Sequence, residues 1–421
     1  MGKNWKKDWK KEGLKGGLKE GNRNFCHITT CKILKPYISR KIKNMMKILV
    51  LPGDGIGPEV VDEAVKVLDF IFQKKKIKVE FDFELIGGVS IDKYGVPIRD
   101  EVVEKAKNSD AILLGAVGGP KWDSLPIDKR PEAGLLKIRK ALELWANIRP
   151  IKIFPELSYI SPLKNSDGID FVVLRELTSD VYFGQPRGIF GDYALNTMIY
   201  RKEEVERIAH LAFEMARKRK KLVTSVDKAN VLEVSSFWRK IVSEVAQKYP
   251  DVKLEHAYVD AMTYYIILNP QKFDVVLCPN LFGDIISDEA GGIIGSLGLC
   301  PSASLGSLDL GGGRIQGLYE PVHGSAPDIA GKSMANPIAT LLSASMLCEY
   351  SLGMKEEGNL IEKAIRNVLS EGFRTQDLLE KKSQDEKKKS QKGKRGKTKI
   401  KVVSTKEFGD AVVKSLKKLL V

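Results

Sequence analysis

The sequence predicts an α/β protein with much parallel sheet, and three observations carry that prediction. From Lys47 onward, short apolar runs alternate with amphipathic helical patterns, the order expected of parallel strands joined by helical crossovers. A glycine-rich turn leads the first of those runs straight into a helix. The chain, 421 residues long, has room for about two domains.

Taken in order, "KILVL" at 47–51 reads as a buried strand and "PGDGIGPEV" as the turn into a helix, with Pro58 suited to its first position. A dinucleotide fingerprint, G-x-G-x-x-G, needs a third glycine where Pro58 stands; the extra glycine falls at Gly57. The stretch is therefore read as a strand-to-helix turn, and any nucleotide contact has to be sought elsewhere. Residues 78–86 and 110–117 read as strands, 100–109 and 134–145 as helices. Further on, 168–176, 221–228 and 273–279 read as strands. Segments 201–220, 235–249 and 335–352 read as helices, the last opening at Asn336-Pro337. There is no internal repeat.

The net charge of +15 is unevenly spread. Residues 1–46 carry +10 and 381–401 carry +9, which leaves the remainder at −4. The basic character thus belongs to two Lys- and Gly-rich appendages, 1–46 and the low-complexity 381–398, expected to be disordered, solvated segments with no dedicated partner, the alternative being electrostatic tethers by which an inactive homologue would bind RNA or lipid. Neither nucleic acid nor membrane is expected as a partner of the acidic body, and no apolar run approaches the ~20 residues that span a bilayer. The leader lacks the apolar centre of a secretory signal, and its single serine and three acids suit a transit peptide poorly. Met45 and Met46 precede the first strand, so a start assigned too far upstream is one explanation of the leader. Five scattered cysteines without a CxxC pair argue against a disulfide framework or a thiolate zinc site. Four histidines without an HxxxH pattern argue against a histidine metal centre. A cytoplasmic location is expected.

Candidate chemistry begins with "NLFGDIISDEA". Asp284 and Asp288 are four apart, so on a helix both carboxylates leave one face, just beyond an apolar strand. Two like charges so placed either straddle a divalent cation, with oxygen donors selecting Mg²⁺ or Mn²⁺, or are ordinary helix acids. Asp260, in the apolar segment "EHAYVDAMTYYIIL", is expected to be buried and to need a cation or a metal. Lys228, closing the strand "VTSVDK", is either a buried base of depressed pKa or the partner of Asp227. Arg139, Arg149 and Arg175 follow different elements; converging, their guanidinium forks suit a dicarboxylate, and separately each is an ordinary ion-pair residue. Tyr182 stands either beside the bound acid or in the core.

Together with "GAVGGPKWDSLPIDKRPEAGLLKIRK", "ANIRP", "RELT..VYFGQPRG", "VDKANVLE", "YVDAM" and "EPVHGSAPDIAGKSMANP", these motifs resemble those of the β-decarboxylating dehydrogenases, the isocitrate/isopropylmalate dehydrogenase family. The resemblance runs from about Met46 to the C-terminus, interrupted by the Lys-rich insert, and is strongest to the isopropylmalate branch. It implies an α/β, two-domain isopropylmalate-dehydrogenase-like fold with a large mixed, largely parallel sheet and a non-Rossmann NAD site. The cofactor-binding domain would be 47–144 plus 295–421, and 145–294 would bind substrate and metal and dimerise. By this resemblance Gly324, Ser325, Ala326, Pro327, Asp328, Ile329, Ala330, Gly331 and Asn336 belong to the loop around the adenosine of NAD. Asp328 would accept the ribose hydroxyls and repel a 2′-phosphate. Gly119 to Glu132 would be the other cofactor-facing stretch.

The same resemblance implies that Asp260, Asp284 and Asp288 hold Mg²⁺ or Mn²⁺, with Asp260 also close to substrate. Arg139, Arg149 and Arg175 would hold the carboxylates, Leu135, Leu136 and Val231 the isopropyl group of 3-isopropylmalate, and Tyr182 and Lys228 would be the acid/base pair. A homodimer with shared sites follows, each subunit lending Lys228 and Asp260 to the other. Ser179-Asp180 departs from the Gly-Gly common in isopropylmalate enzymes and is similar to the "TED" of isocitrate relatives. Leu177 and the apolar "EAGLL" point back to the alkyl substrate, ahead of homoisocitrate, isocitrate, tartrate or D-malate.

Overall fold

The computed structural model describes residues 45–379 and 399–420; the expectations for 1–44 and 380–398 lie outside the described residues. The first strands are β1 (Met46–Gly53), β2 (Val79–Phe83), β3 (Ala111–Ala116), β4 (Ala146–Lys152) and β5 (Asp170–Glu176). A hairpin of β6 (Arg187–Phe190) and β7 (Tyr193–Asn196) stands apart. Then come β8 (Leu222–Asp227), β9 (Lys253–Tyr258), β10 (Val275–Cys278), β11 (Pro301–Gly311) and β12 (Arg314–Pro321). A short pair, β13 (Phe373–Arg374) and β14 (Lys401–Val402), completes the strands.

The helices are α1 (Gly57–Lys75), α2 (Gly88–Tyr94), α3 (Asp100–Asn108), α4 (Pro131–Ala141), α5 (Lys202–Arg217) and α6 (Glu233–Ala246). They continue with α7 (Val259–Leu268), α8 (Asn280–Ile293), α9 (Ile338–Tyr350), α10 (Lys355–Ser370) and α11 (Thr405–Leu419).

Ten strands form one sheet in the order β2-β1-β3-β12-β11-β4-β5-β10-β8-β9. Pairing is antiparallel only at β12–β11, β11–β4 and β4–β5; the other six contacts are parallel. The sheet is largely parallel, as the alternation predicts, and mixed, as the resemblance implies. Its first five strands come from 47–144 and 295–421, its last five from 145–294. Parallel strands are covered on both faces, which is why β1, β3 and β10 read as continuous apolar runs and are buried almost throughout. α1 begins one residue earlier than expected, at Gly57, with Pro58 second in its first turn.

Two elements differ from the sequence reading. The helix expected over 134–145 stops at Ala141, because Glu143 turns into the left-handed region (φ 50°) and Trp145 donates its N–H to Leu305, starting β4. The long hairpin β11–β12 was not foreseen. β11 is rich in Ser and Gly, and its Ser302 and Ser304 accept from the Asn147 amide rather than packing apolar groups.

Candidate active site

The apolar strand β10 ends at Cys278, Pro279 caps the next turn, and α8 starts at Asn280, so Asp284 and Asp288 project beyond the carboxyl end of the sheet. Beneath them lie Arg149 on β4 and Arg175 on β5, brought together because these strands are antiparallel neighbours. Arg175 Nη1 donates to Asp284 Oδ1 at 2.5 Å, and Arg149 Nη1 lies 3.3 Å from Asp284 and 3.4 Å from Asp288. Tyr182 donates its phenol to Asp284 Oδ2 at 2.6 Å and lies beside the Arg175 guanidinium. Asp284, Asp288, Arg149, Arg175 and Tyr182 are thus brought together as expected.

The arginines are held by their stems and inner nitrogens. Arg175 Nε donates to Asn280 Oδ1 at 2.8 Å; Arg149 donates to Asn147 Oδ1 and to Ser287 Oγ. Gly283 leaves room for the Arg175 stem, since a Cβ there would sit 2.8 Å from Arg175 Cγ. Nη2 of each guanidinium carries no hydrogen bond to the described residues. Burial lowers the Arg175 pKa to about 10, with Arg149 adding to the shift, so this pocket is short of negative charge. Burial works to raise the Asp284 carboxyl, yet Arg175 and Arg149 outweigh it and hold it below the ordinary value. Tyr182 is pushed up to about 12 by burial and then by Asp284, so it keeps its proton at any physiological pH.

Lys228 and Asp260 form a second group. Lys228 Nζ donates to Asp260 Oδ1 at 2.6 Å, and Val231 beside them is 68% exposed. Two expectations need correcting here. Asp260 is not buried: its side chain is 66% exposed at the start of α7. The apolar run that suggested burial instead exposes Tyr264, Tyr265, Ile267 and Leu268. Asp227, for its part, pairs with Arg239 rather than with Lys228. Among the described residues no three His, Cys, Asp or Glu side chains are grouped to hold a metal ion, so one chain does not unite Asp260 with Asp284 and Asp288.

On the other flank, Arg139 pairs with Glu320 at 2.6 Å in a mostly buried contact. Leu135 and Leu136 on α4 are half-buried, and Leu135 packs on the small core beneath α4. Glu132 starts α4 next to Gly118, and Gly119 adopts φ 154°, open to few other residues. The loop from Gly324 to Gly331 exposes Gly324, Pro327, Asp328 and Gly331, half-exposes Ala326, Ile329 and Ala330, and buries Ser325. Asn336 is buried and already committed: it caps Ile338 N and donates to Asp377.

The donor chemistry fits a hard divalent cation, since Asp284 and Asp288 supply oxygens only and no Cys or His ligand stands with them. For a dinucleotide the fit rests on His323, whose Nε2 is buried without a partner at the root of the Gly324–Gly331 loop. His323 was overlooked within the quoted "EPVHG". So were Asn147, Asn280 and Ser287, whose part is visible only once strands and helix are assembled.

Asp180 explains its own departure from Gly-Gly. It is fully buried at φ 74°, a conformation natural to glycine. Its carboxylate accepts from Val181 N, from Leu281 N in the first turn of α8, and from Tyr200 OH. The acid therefore docks the Tyr182 turn on α8 and does not mark a tricarboxylate site.

A strand-end carboxylate pair, two buried guanidiniums and a phenol thus stand together beyond the carboxyl end of the sheet. The family model described as isocitrate/isopropylmalate dehydrogenase matches residues 47–412, and the chain belongs to that family. Within it, the chain is 56% identical to the 3-isopropylmalate dehydrogenase of Aquifex aeolicus, over 79% of this chain and 91% of that one. It is 51% identical to the 3-isopropylmalate dehydrogenase of Thermotoga maritima, over 89% and 100%. Among solved structures, isocitrate dehydrogenase from Methylococcus capsulatus superimposes with a TM-score of 0.73 at 32% identity, covering 89% of this chain and all of that one (100%).

Proposed function

We propose that the protein catalyses the NAD-dependent oxidative decarboxylation of (2R,3S)-3-isopropylmalate to 4-methyl-2-oxopentanoate and CO₂, a step of leucine biosynthesis. The observation that carries this reading is the convergence of Arg149, Arg175 and Tyr182 on the carboxylates of α8. Arg149 and Arg175 clamp the carboxylates of the diacid through the Nη2 groups that the fold leaves free, with Arg139, whose Nη2 is held by Glu320, completing the clamp. Leu135 and Leu136 offer the alkyl group an apolar wall, where a third carboxylate would be desolvated without a partner.

Asp284, Asp288 and Asp260 of the partner subunit would hold Mg²⁺ or Mn²⁺. When bound, the cation would supply stabilisation for negative charge on the substrate's C2 oxygen, and NAD, held by the Gly324–Asn336 loop and the 119–132 stretch, would supply the acceptor for the C2 hydride. Lys228 of the partner subunit takes the C2 hydroxyl proton. After the β-carboxylate leaves as CO₂, Tyr182 supplies a proton to C3, a task for which a phenol of pKa about 12 is always loaded. The exposed face of α7 (Tyr264, Tyr265, Ile267, Leu268), with Val231 and Ile285, supports a homodimer that brings the two half-sites together. The two sets of five strands support a cofactor domain of 47–144 plus 295–421 and a substrate, metal and dimerisation domain of 145–294.

The test is turnover of 3-isopropylmalate, isocitrate and D-malate by purified protein with NAD and Mg²⁺ or Mn²⁺. Preference for 3-isopropylmalate is expected. A higher kcat/KM on isocitrate would overturn the substrate assignment.

A further inference from the structure

The glycine-rich turn after β1 does not have the form of a phosphate cradle, and the structure gives it a different task. Its N–H groups are largely spent: Asp54 N donates to Ala116 O, Gly57 N to Asp54 O, and Ile56 N to Ser325 O at 2.8 Å. A phosphate-binding turn keeps those donors free.

What the turn holds instead is the protein's own chain on two sides. The Asp54 carboxylate is 1% exposed and accepts three backbone N–H bonds, Oδ2 from Gly88 (2.8 Å) and Gly118 (2.9 Å), Oδ1 from Val89 (2.8 Å). Gly88 and Val89 open α2, which has no side-chain cap of its own. One turn further along α2, Asp92 binds Lys121 Nζ and Trp122 Nε1. Asp54 thus reaches the 118–122 stretch twice, directly at Gly118 and through α2. On the opposite side, Glu59 in the first turn of α1 accepts from Gly331 N at 2.5 Å, and Gly331 has φ 74°. Gly55 presses against the same loop, since a Cβ there would lie 2.0 Å from Ser325 O.

We propose that the Gly53–Glu59 turn is a clamp that sets the distance between the two cofactor-facing segments, 119–132 and 324–336, gripping the first at its start (Gly118 directly, Lys121 and Trp122 through α2) and the second at Ser325 and Gly331, with Asp54 and Glu59 as its positioning residues. Neither carboxylate touches the dinucleotide. They act by fixing where the backbone of each segment lies, so the near-fingerprint serves the nucleotide site at one remove. The inference rests on the reading that these two segments face NAD.

The experiment combines amide hydrogen exchange of the metal- and cofactor-free protein with NADH binding followed by fluorescence, on wild type, Asp54→Ala, Asp54→Asn, Glu59→Ala and Glu59→Gln. Glu59→Ala should speed exchange in 325–336 only, and Asp54→Ala in 86–92 and 117–123. Each should weaken NADH on the order of tenfold, the worth of a charge-assisted hydrogen bond. Glu59→Gln should bind like wild type, because its amide oxygen still accepts from Gly331 N. Asp54→Asn should fall between, keeping the oxygen that serves Gly88 and Gly118 and losing the one that serves Val89. Mn²⁺ affinity at α8 should be unchanged throughout. If Asp54→Ala does not fold, the Glu59 pair still decides. Unchanged NADH affinity in a folded Glu59→Ala whose 325–336 exchange has risen would overturn the clamp. Failure of NADH to protect 119–132 and 324–336 in wild type would overturn the cofactor reading beneath it.

Discussion

Neutralising Asp284 should cost the metal-free protein far more stability than neutralising Asp288, although both should abolish metal binding. Arg175 and Arg149 have side chains 2% and 8% exposed, and Asp284 is the carboxylate closest to both. Removing one partner of a buried pair costs about 3–5 kcal/mol. Asp284 is itself 33% exposed, and an asparagine still accepts one hydrogen bond, so about 2 kcal/mol is the better figure for Asp284→Asn. Asp288 is 58% exposed with one 3.4 Å contact, and Asp288→Asn should cost under about 0.5 kcal/mol. Urea unfolding with chelator present measures both. The sign with pH follows from the Asp284 carboxyl being held below its ordinary value by the arginines. Its contribution is complete above the ordinary carboxylate range and fades as pH falls through the depressed pKa, so wild type and Asp284→Asn should converge in acid. Equal losses for the two variants, or a gap that widens in acid, would refute the view that Asp284 serves the arginines as well as the cation.

Other outcomes follow from the same geometry. Tyr182→Phe should lower kcat by about 10² or more, the usual worth of a positioned acid. Because the phenol rises from 10.0 to about 12 on folding, its stabilising contribution in the metal-free protein is full below pH 10 and lost towards 12. Tyr182→Phe should remove that alkaline loss from a stability-against-pH curve. Asp180→Ala should destabilise by about 1 kcal/mol more than Asp180→Gly, since both lose the carboxylate but only alanine keeps the strain at φ 74°; chemical unfolding of the pair measures it. Deleting 1–44 and 380–398 should leave kcat/KM on 3-isopropylmalate unchanged, and a loss of catalysis would give those segments a role.

What the sequence reveals and what it hides divides along physical lines. Strands of the parallel halves are legible because burial on both faces makes them uniformly apolar, as in β1 and β3. The β11–β12 hairpin is hidden because Ser302 and Ser304 face a buried amide, not a hydrophobic layer. The Asp284–Asp288 spacing announces a shared helix face, whereas nothing local announces that Asn280 and Ser287 steady the arginines from the same helix. Asp260 misleads because an apolar surround reads alike whether it is a core or the exposed face of α7. Asp54 sits in a motif whose glycines draw attention to phosphates, while its partners are amides 34 to 64 residues away.

The most direct measurement of the central claim mixes two inactive variants. Tyr182→Phe and Lys228→Met subunits are each expected to form dimers without useful activity. Co-refolded, they should form mixed dimers in which one site draws Tyr182 from one subunit and Lys228 from the other, both intact, so activity returns. Mixed dimers that stay as inactive as either parent would contradict a site built from two chains.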